Sequence, residues 1–280
     1  MQNLKQMLVG TSIGRVMMSA RNKVDILSAA IHSPESVGTV ANDQLASALL
    51  PKLCRPGKTF IDVGAHIGSV IADVIHHDSS INIIAFEAIP EKAGALRRKF
   101  IRAKVFQCAV GDQNSIVSFF INTKKSGYSS LGKSGDSNDL KEIQVPIDRL
   151  DDLVQSTDVD AIKIDVEGAE LGVLLGAKQL IKQSRPVIMF ESGPDINGLG
   201  YTKEGIWNFF NDINYTLHAP NRVAHNDEGL NLYGFIDSHV YPRRATNYFA
   251  IPKEKRDEIR EMAIARTEID EPDRLLNIDY

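Results

Sequence analysis

Apolar and polar positions change period repeatedly along this chain. Short runs of mostly apolar residues occupy 59–63, 81–86, 105–110, 161–166 and 187–190. Such runs fit parallel strands buried on both faces. Between them, apolar residues return at helical spacing. Val70, Ile71, Val74 and Ile75 share one face of a helix over 69–75. Ala93, Leu96 and Phe100 do the same after Pro90, a residue suited to a first helical turn. Leu171, Leu174 and Leu175 line a helix starting near Ala169, 177–181 predicts a second helical segment, and Ile206, Trp207 and Phe210 line a helix over 203–210. Residues 116–121 and 142–147 alternate with period two and predict half-exposed strands around a polar loop at 124–138. Residues 150–154 read as a helical turn, and 215–218 and 247–251 as the last strands.

Strands alternating with helices predict an α/β fold, a doubly wound mixed sheet with helices on both faces. Ligands then bind at the carboxyl ends of the strands. Residues 1–50 are expected to form an N-terminal helical extension, 51–252 the main domain, and 253–280 a charged helix and acidic tail. In the extension, Asn42 and Asp43 are placed to cap a helix over 45–53, and Pro56-Gly57 marks the turn into the domain. In the final helix Ile259, Met262 and Ala263 form the apolar face.

Composition narrows the class. Of 280 residues, 43% are hydrophobic and the formal net charge is −4, which argues against nucleic acid as the main partner. The two cysteines, Cys54 and Cys108, have no metal or redox spacing, so reduced buried thiols and a cytoplasmic location are expected. The apolar run over 7–18 is broken by Gly10, Gly14 and Arg15, so neither a signal peptide nor a transmembrane segment is expected. With Lys5, Arg15, Arg21 and Lys23, the N-terminal segment reads as weakly amphipathic, suited to packing on the domain or to a membrane surface. A homo-oligomer is compatible with the sequence.

The stretch with most chemistry is Asp62-Val63-Gly64-Ala65-His66-Ile67-Gly68, followed one strand later by Phe86-Glu87-Ala88. Gly64 and Gly68 allow a tight strand-to-helix turn and close approach of a ligand. The helix that follows offers free N–H groups and a positive dipole end. Glu87, at a strand tip, suits two ribose hydroxyls. A dinucleotide turn would need a glycine where His66 stands, and no Gly-Lys-Ser or Gly-Lys-Thr follows. A nucleoside without phosphates remains, and S-adenosylmethionine fits. Glu87 would take its ribose, Asp62 its ammonium and the turn, with Gly64, Ala65, His66 and Gly68, its carboxylate. Ala109 and Val110, after the third strand, would flank the adenine beside Ala88, with Asp112 accepting from the amino group.

The chain resembles the FkbM family of S-adenosylmethionine-dependent methyltransferases, within the Rossmann-like class I fold. The resemblance rests on the two segments above, on Ala109-Val110-Gly111, Ser129-Ser130-Leu131 and Arg149-Leu150-Asp151-Asp152-Leu153, and most on Ile162-Lys163-Ile164-Asp165-Val166-Glu167-Gly168-Ala169-Glu170. It covers roughly 57–193, with His66 and Ala88 where the family often has Asn and Pro. It implies O-methylation of a hydroxyl on a sugar, glycan precursor or other small natural product.

A hydroxyl acceptor must lose a proton, which calls for a base or a metal. Asp165, Glu167 and Glu191 are the candidate catalytic carboxylates, Asp165 also touching the cofactor. Asp165, Glu167 and Glu170 follow one another closely enough that crowding is expected to raise at least one of their pKa values. No metal is assigned, because too few ligands can be named. Glu170 reads as a helix cap and Lys163 as a partner for a carboxylate. Tyr128, Ser129 and Ser130 would form a substrate loop. Two other readings stay open: an NAD(P)-dependent oxidoreductase with a degenerate turn, and a non-catalytic binding protein of the same fold.

Overall fold

A computed structural model describes residues 8–122, 124, 129–131, 139–193 and 201–269, with side chains to residue 264. Two helices, α1 (Ser12–His32) and α2 (Val37–Leu49), lead into β1 (Thr59–Val63). Then come α3 (Ser69–His77), β2 (Asn82–Phe86), α4 (Pro90–Lys99), β3 (Lys104–Phe106) and β4 (Ala109–Val110). The antiparallel pair β5 (Ser115–Asn122) and β6 (Leu140–Asp148) precedes α5 (Leu150–Leu153) and β7 (Val159–Ile164). The chain continues through α6 (Glu170–Leu175), α7 (Lys178–Ser184), β8 (Val187–Glu191) and α8 (Lys203–Asp212). It ends with β9 (Tyr215–His218), α9 (Leu232–Asp237), β10 (Asn247–Pro252) and α10 (Arg256–Ile269).

The main sheet has seven strands in the order β3-β2-β1-β7-β8-β10-β9. Its pairings are parallel except those of β10, which runs antiparallel to both neighbours. This is the doubly wound mixed sheet expected of a class I methyltransferase. Chain order reverses between β1 and β7, so the crevice for a ligand opens at their carboxyl ends. Alternate residues feed two cores. Ile61, Ile162 and Phe190 pack under α6, α7 and α8, while Phe60, Ala161 and Met189 pack under α2, α3, α4 and α10.

Two local expectations are corrected and one element is added. The apolar run over 105–110 is two strands in different sheets: β3 edges the main sheet, and Ala109–Val110 joins β6 in a three-stranded sheet. An unbroken apolar run carries no mark of such a change of partner. Asn42 and Asp43 lie inside α2 and cap nothing. Asn42 Nδ2 donates to the Arg244 carbonyl, and Asp43 Oδ1 accepts from the backbone N–H groups of Thr246 and Asn247, so α2 is fastened to the approach to β10. Finally, α9 was not foreseen. Its six residues are too few to show a period, although Asn231 caps it by accepting from the Gly234 N–H.

The centre of the sheet contains an ion cluster. Asp62 and Lys163 are cross-strand partners on β1 and β7, and both side chains are buried. Lys163 Nζ lies 3.3 Å from Asp62 Oδ1 and 3.3 Å from Asp165 Oδ2, and donates to the Gly64 carbonyl at 2.9 Å. Burial disfavours the ammonium, but Asp165 and Asp62 outweigh it and raise the Lys163 pKa. Burial raises the Asp62 pKa and Lys163 pulls it back. One lysine thus ties the β1 turn to the end of β7.

Lys163→Met should leave Asp62 buried without a cation and lower the unfolding free energy by about 3–5 kcal/mol. Urea midpoints measure the loss. Adding Asp62→Asn to the same chain should recover part of it.

Candidate active site

The first strand-to-helix turn is built for packing. Gly64 has φ +81° and Gly68 has φ +79°. A Cβ at Gly64 would overlap the Asp165 carbonyl, and one at Gly68 would overlap the rings and methyls of Phe100 and Leu96. Gly64 thus lets protein approach protein while also lining the cavity at this turn, whereas Gly68 packs against Phe100 and Leu96 and is not part of that lining. His66, between them, also has a left-handed backbone, with φ +51°. Its N–H donates to Glu87 Oε2 at 2.8 Å, and the Ile89 N–H donates to Glu87 Oε1 at 2.9 Å. Glu87 thus locks this turn to the next.

A cavity of about 410 Å³ opens at the carboxyl ends of β1, β2 and β7. Gly64, Ala65, His66, Glu87 and Ala88 contribute to one wall. Burial is the main influence raising the Glu87 pKa, opposed by Lys92 and the two backbone donors. A carboxylate offers about four lone-pair sites and the protein fills two, so Glu87 keeps acceptor capacity toward the cavity. Lys92 also lines the cavity, where burial lowers its pKa and Glu87 opposes that. Sequence reasoning passed over it. Its signal was position: the first turn of the helix after Glu87 faces back to that strand tip. Burial and Lys92 push the His66 imidazole down to about 4, so it is neutral near pH 7.

The start of α3 meets the same space through Ser69 and Val70. Its cap position, Gly68, supplies no side-chain hydrogen bond. The first N–H groups of a helix lack partners within it, so this end favours an anion. The far wall is apolar: Ala109 and Val110, with Cys108, Phe119 and Leu131. Ser129 lines it too, its Oγ accepting from the Asn122 N–H at 3.1 Å.

Some candidates fall elsewhere. Asp62 is 1% exposed and does not line the cavity; Lys163 stands between it and that space. It is not placed to hold a ligand ammonium. Asp112 is exposed, outside the cavity wall, and accepts from the Tyr201 hydroxyl. Its strand turns away with the smaller sheet, which the unbroken run at 105–110 concealed. Ser130 is buried and paired through its backbone with Phe120, away from the cavity lining. Tyr128 lies outside the described residues.

At the β7 end three acids converge. Asp165, Glu167 and Glu191 each offer a carboxylate oxygen, all within 4.8 Å of one another. Such a group could also hold a metal ion. Asp165 and Glu167 line the cavity, and Glu191 stands behind Asp165. Burial, then the Asp165 charge and hydrogen bond, drives the Glu191 pKa far up. Burial also works against the Asp165 charge, but Lys163 and the Glu191 hydrogen bond hold its pKa below the usual value. The two shifts point the same way, favouring a proton on Glu191 beside an ionised Asp165. Glu167, at φ +57°, is pushed up to about 7 by burial and by the charges of Asp165 and Glu170. Glu170 was expected to cap its helix; instead its Oε1 accepts from the N–H groups of Gly168 and Val166 and holds the turn before the helix. Behind β8, His239 Nε2 lies 2.8 Å from Ser192 Oγ, a link that no local motif announced.

Comparison with known proteins agrees with this geometry in kind. A family model described as "Methyltransferase FkbM domain" matches residues 62–218. The 2-O-methyltransferase NoeI of Sinorhizobium fredii (strain NBRC 101917 / NGR234) is 25% identical over 150 residues, 47% of this chain and 62% of that protein. The chain thus spans less than two thirds of that relative's length. Among solved structures, methyltransferase FkbM from Methylobacillus flagellatus KT aligns with a TM-score of 0.43 and 17% identity, over 82% of this chain and 58% of that one. A TehB-like SAM-dependent methyltransferase from Corynebacterium glutamicum ATCC 13032 Kitasato aligns with a TM-score of 0.39 and 10% identity, over 74% and 84%. The family match spans more than half of the sequence, from Asp62 in β1 to His218 at the end of β9, and the chain belongs to the FkbM methyltransferase domain family.

Proposed function

We propose that this protein is an S-adenosylmethionine-dependent O-methyltransferase acting on a hydroxyl of a sugar, glycan precursor or other small natural product. One observation carries the reading: a single cavity has ribose-competent Glu87 at one end and, at the other, Asp165 and Glu167 on its wall with Glu191 crowded against them. The cavity's donor set fits the cofactor. The uncapped start of α3 suits the carboxylate of an amino-acid tail, Glu87 a ribose diol, and the wall at Ala109, Val110 and Phe119 an adenine. Asp165, kept ionised by Lys163, takes the place first given to Asp62 as the acid facing the tail's amine. Bound there, the cofactor would supply an electrophilic methyl group.

The chain's own task is to remove the acceptor's proton. Asp165 is a weak base, because Lys163 and Glu191 already stabilise its charge. Glu191, whose pKa burial and Asp165 drive far up, would be protonated and unable to act as a base. Glu167 lines the cavity, and its pKa of about 7 suits a general base near neutral pH. A 2-hydroxyl is the acceptor position that the name of the NoeI relative suggests.

A cytoplasmic setting is part of the proposal, since Cys54 and Cys108 are free and buried and no helix among the described residues is long and apolar enough to cross a membrane. So is a small-molecule or glycan acceptor rather than nucleic acid, on the net charge of −4. The proposed organisation keeps 51–252 as the methyltransferase domain.

Calorimetric titration with S-adenosylhomocysteine should give binding and NAD none; the reverse would restore the oxidoreductase reading. Glu87→Ala should weaken cofactor binding by about 1–3 kcal/mol, the range for lost charge-assisted hydrogen bonds. An unchanged dissociation constant would remove Glu87 from the ribose. Turnover should rise with pH through about 7 as Glu167 loses its proton, and fall below that. Glu167→Gln should abolish this acid limb and lower kcat by about a hundredfold to ten-thousandfold. A limb that survives the substitution would assign the base elsewhere. Radiolabelled cofactor with a cell extract would identify the acceptor.

A further inference from the structure

The longest helix of the N-terminal extension carries apolar residues on two opposite sides. On one side of α1, Ile26 and Ala29 are half-buried and the Asn22 carbonyl accepts from Gln44 of α2. The other side holds Ile13, Val16, Met17, Val24, Leu27 and Ile31, all exposed, with Val16 71% and Ile31 74% accessible. Their spacing puts them on a stripe about 100° wide, running roughly 27 Å along the helix. Scattered exposed apolar residues need no explanation, but a continuous stripe does.

The charges beside the stripe select its occupant. At 100° per residue Arg21 and Lys23 fall on opposite flanks of it, and both are exposed. α1 carries Arg15, Arg21 and Lys23 against the single acid Asp25, which pairs with Arg21 at 3.5 Å. This excess of positive charge stands in a chain whose net charge is −4. Long cationic side chains on both edges of an apolar face can rise toward headgroups while the face enters the acyl boundary. Pairing two copies through the stripe would set cationic flank against cationic flank. Beyond the end of α1, the Tyr241 hydroxyl donates to Glu35, and Val240 and Tyr241 are themselves exposed.

We propose that α1 is an in-plane anchor that lays its Ile13–Ile31 stripe on an anionic lipid surface. The anchor does not depend on the reading of the cavity, and its assay needs neither cofactor nor acceptor.

Co-sedimentation of the full chain with phosphatidylcholine vesicles containing about one third phosphatidylserine tests it. Binding should exceed that to pure phosphatidylcholine and fall at about 1 M salt, where charges are screened beyond about 3 Å. Val16→Asp with Leu27→Asp should lower partitioning by about tenfold or more. Arg21→Glu with Lys23→Glu, which alters no apolar contact, should abolish the preference for anionic vesicles. All four side chains are exposed, so circular dichroism should stay unchanged. Absence of vesicle binding would overturn the proposal. So would unchanged partitioning of both variants, or a dimer that dissociates on Val16→Asp with Leu27→Asp while vesicle binding persists.

Discussion

The buried ammonium of Lys163 is the constraint on which the site depends. It joins Asp62 on β1, Asp165 past the end of β7 and the carbonyl of Gly64 in the turn. Each acid is deep enough that burial alone would favour its neutral form. A single cation cannot neutralise two carboxylates, and the negative charge is favoured on Asp165 at the cavity, whose pKa is held down while that of Asp62 stays raised. Glu191 completes the arrangement with a proton. The geometry of the first turn and the ionisation of the carboxyl end are therefore set together. Gly64 reinforces the coupling, because any larger residue would collide with the Asp165 backbone.

Glu87 plays the matching part on the other side of the cavity. Its two oxygens hold the backbone of His66 and of Ile89, so the turn after β1 and the turn after β2 move as one. A ligand hydroxyl meeting this carboxylate would find it already oriented, which reduces what must be ordered on binding. The same preorganisation explains why a histidine can stand where a dinucleotide site needs glycine. The His66 N–H is committed to Glu87 and leaves no cradle for a pyrophosphate.

How far the sequence could be read follows from how local each feature is. The apolar runs on both sides of Asp62 and Lys163 identify buried strands, and a charged residue inside such a run must find a partner, so Lys163 was legible as an ion-pair residue. Glu87 was legible from its place at a strand tip. Asp62 was misjudged because strand-end position alone does not say on which side of the sheet a side chain falls, and Lys163 intervenes. Asp112 was misjudged because the change of sheet after β3 leaves no trace in an apolar run. The link between His239 and Ser192, and the fastening of α2 by Asn42 and Asp43, join residues dozens to hundreds apart. No local pattern encodes such pairings.

The acids at the β7 end also bear on stability, in a direction opposite to ordinary ion pairs. Burial leads the rise of Glu167 and Glu170 from 4.5 to about 7. Between those values the folded chain keeps protons that the unfolded chain has released. Stability contributed by these groups is then present at acid pH and lost as pH rises toward and through about 7. A paired carboxylate such as that of Asp165, held below its usual value, contributes in the other direction and loses its share as pH falls. Glu170 can be accounted for structurally, since it holds the Val166 and Gly168 amides of a turn with left-handed residues. Glu167 lines the cavity in a left-handed conformation that a non-glycine residue adopts at a cost of about 1–3 kcal/mol. Under the proposed function, an acid held in this conformation, with its pKa raised to about 7 and open to the cavity, is the group suited to take the acceptor's proton.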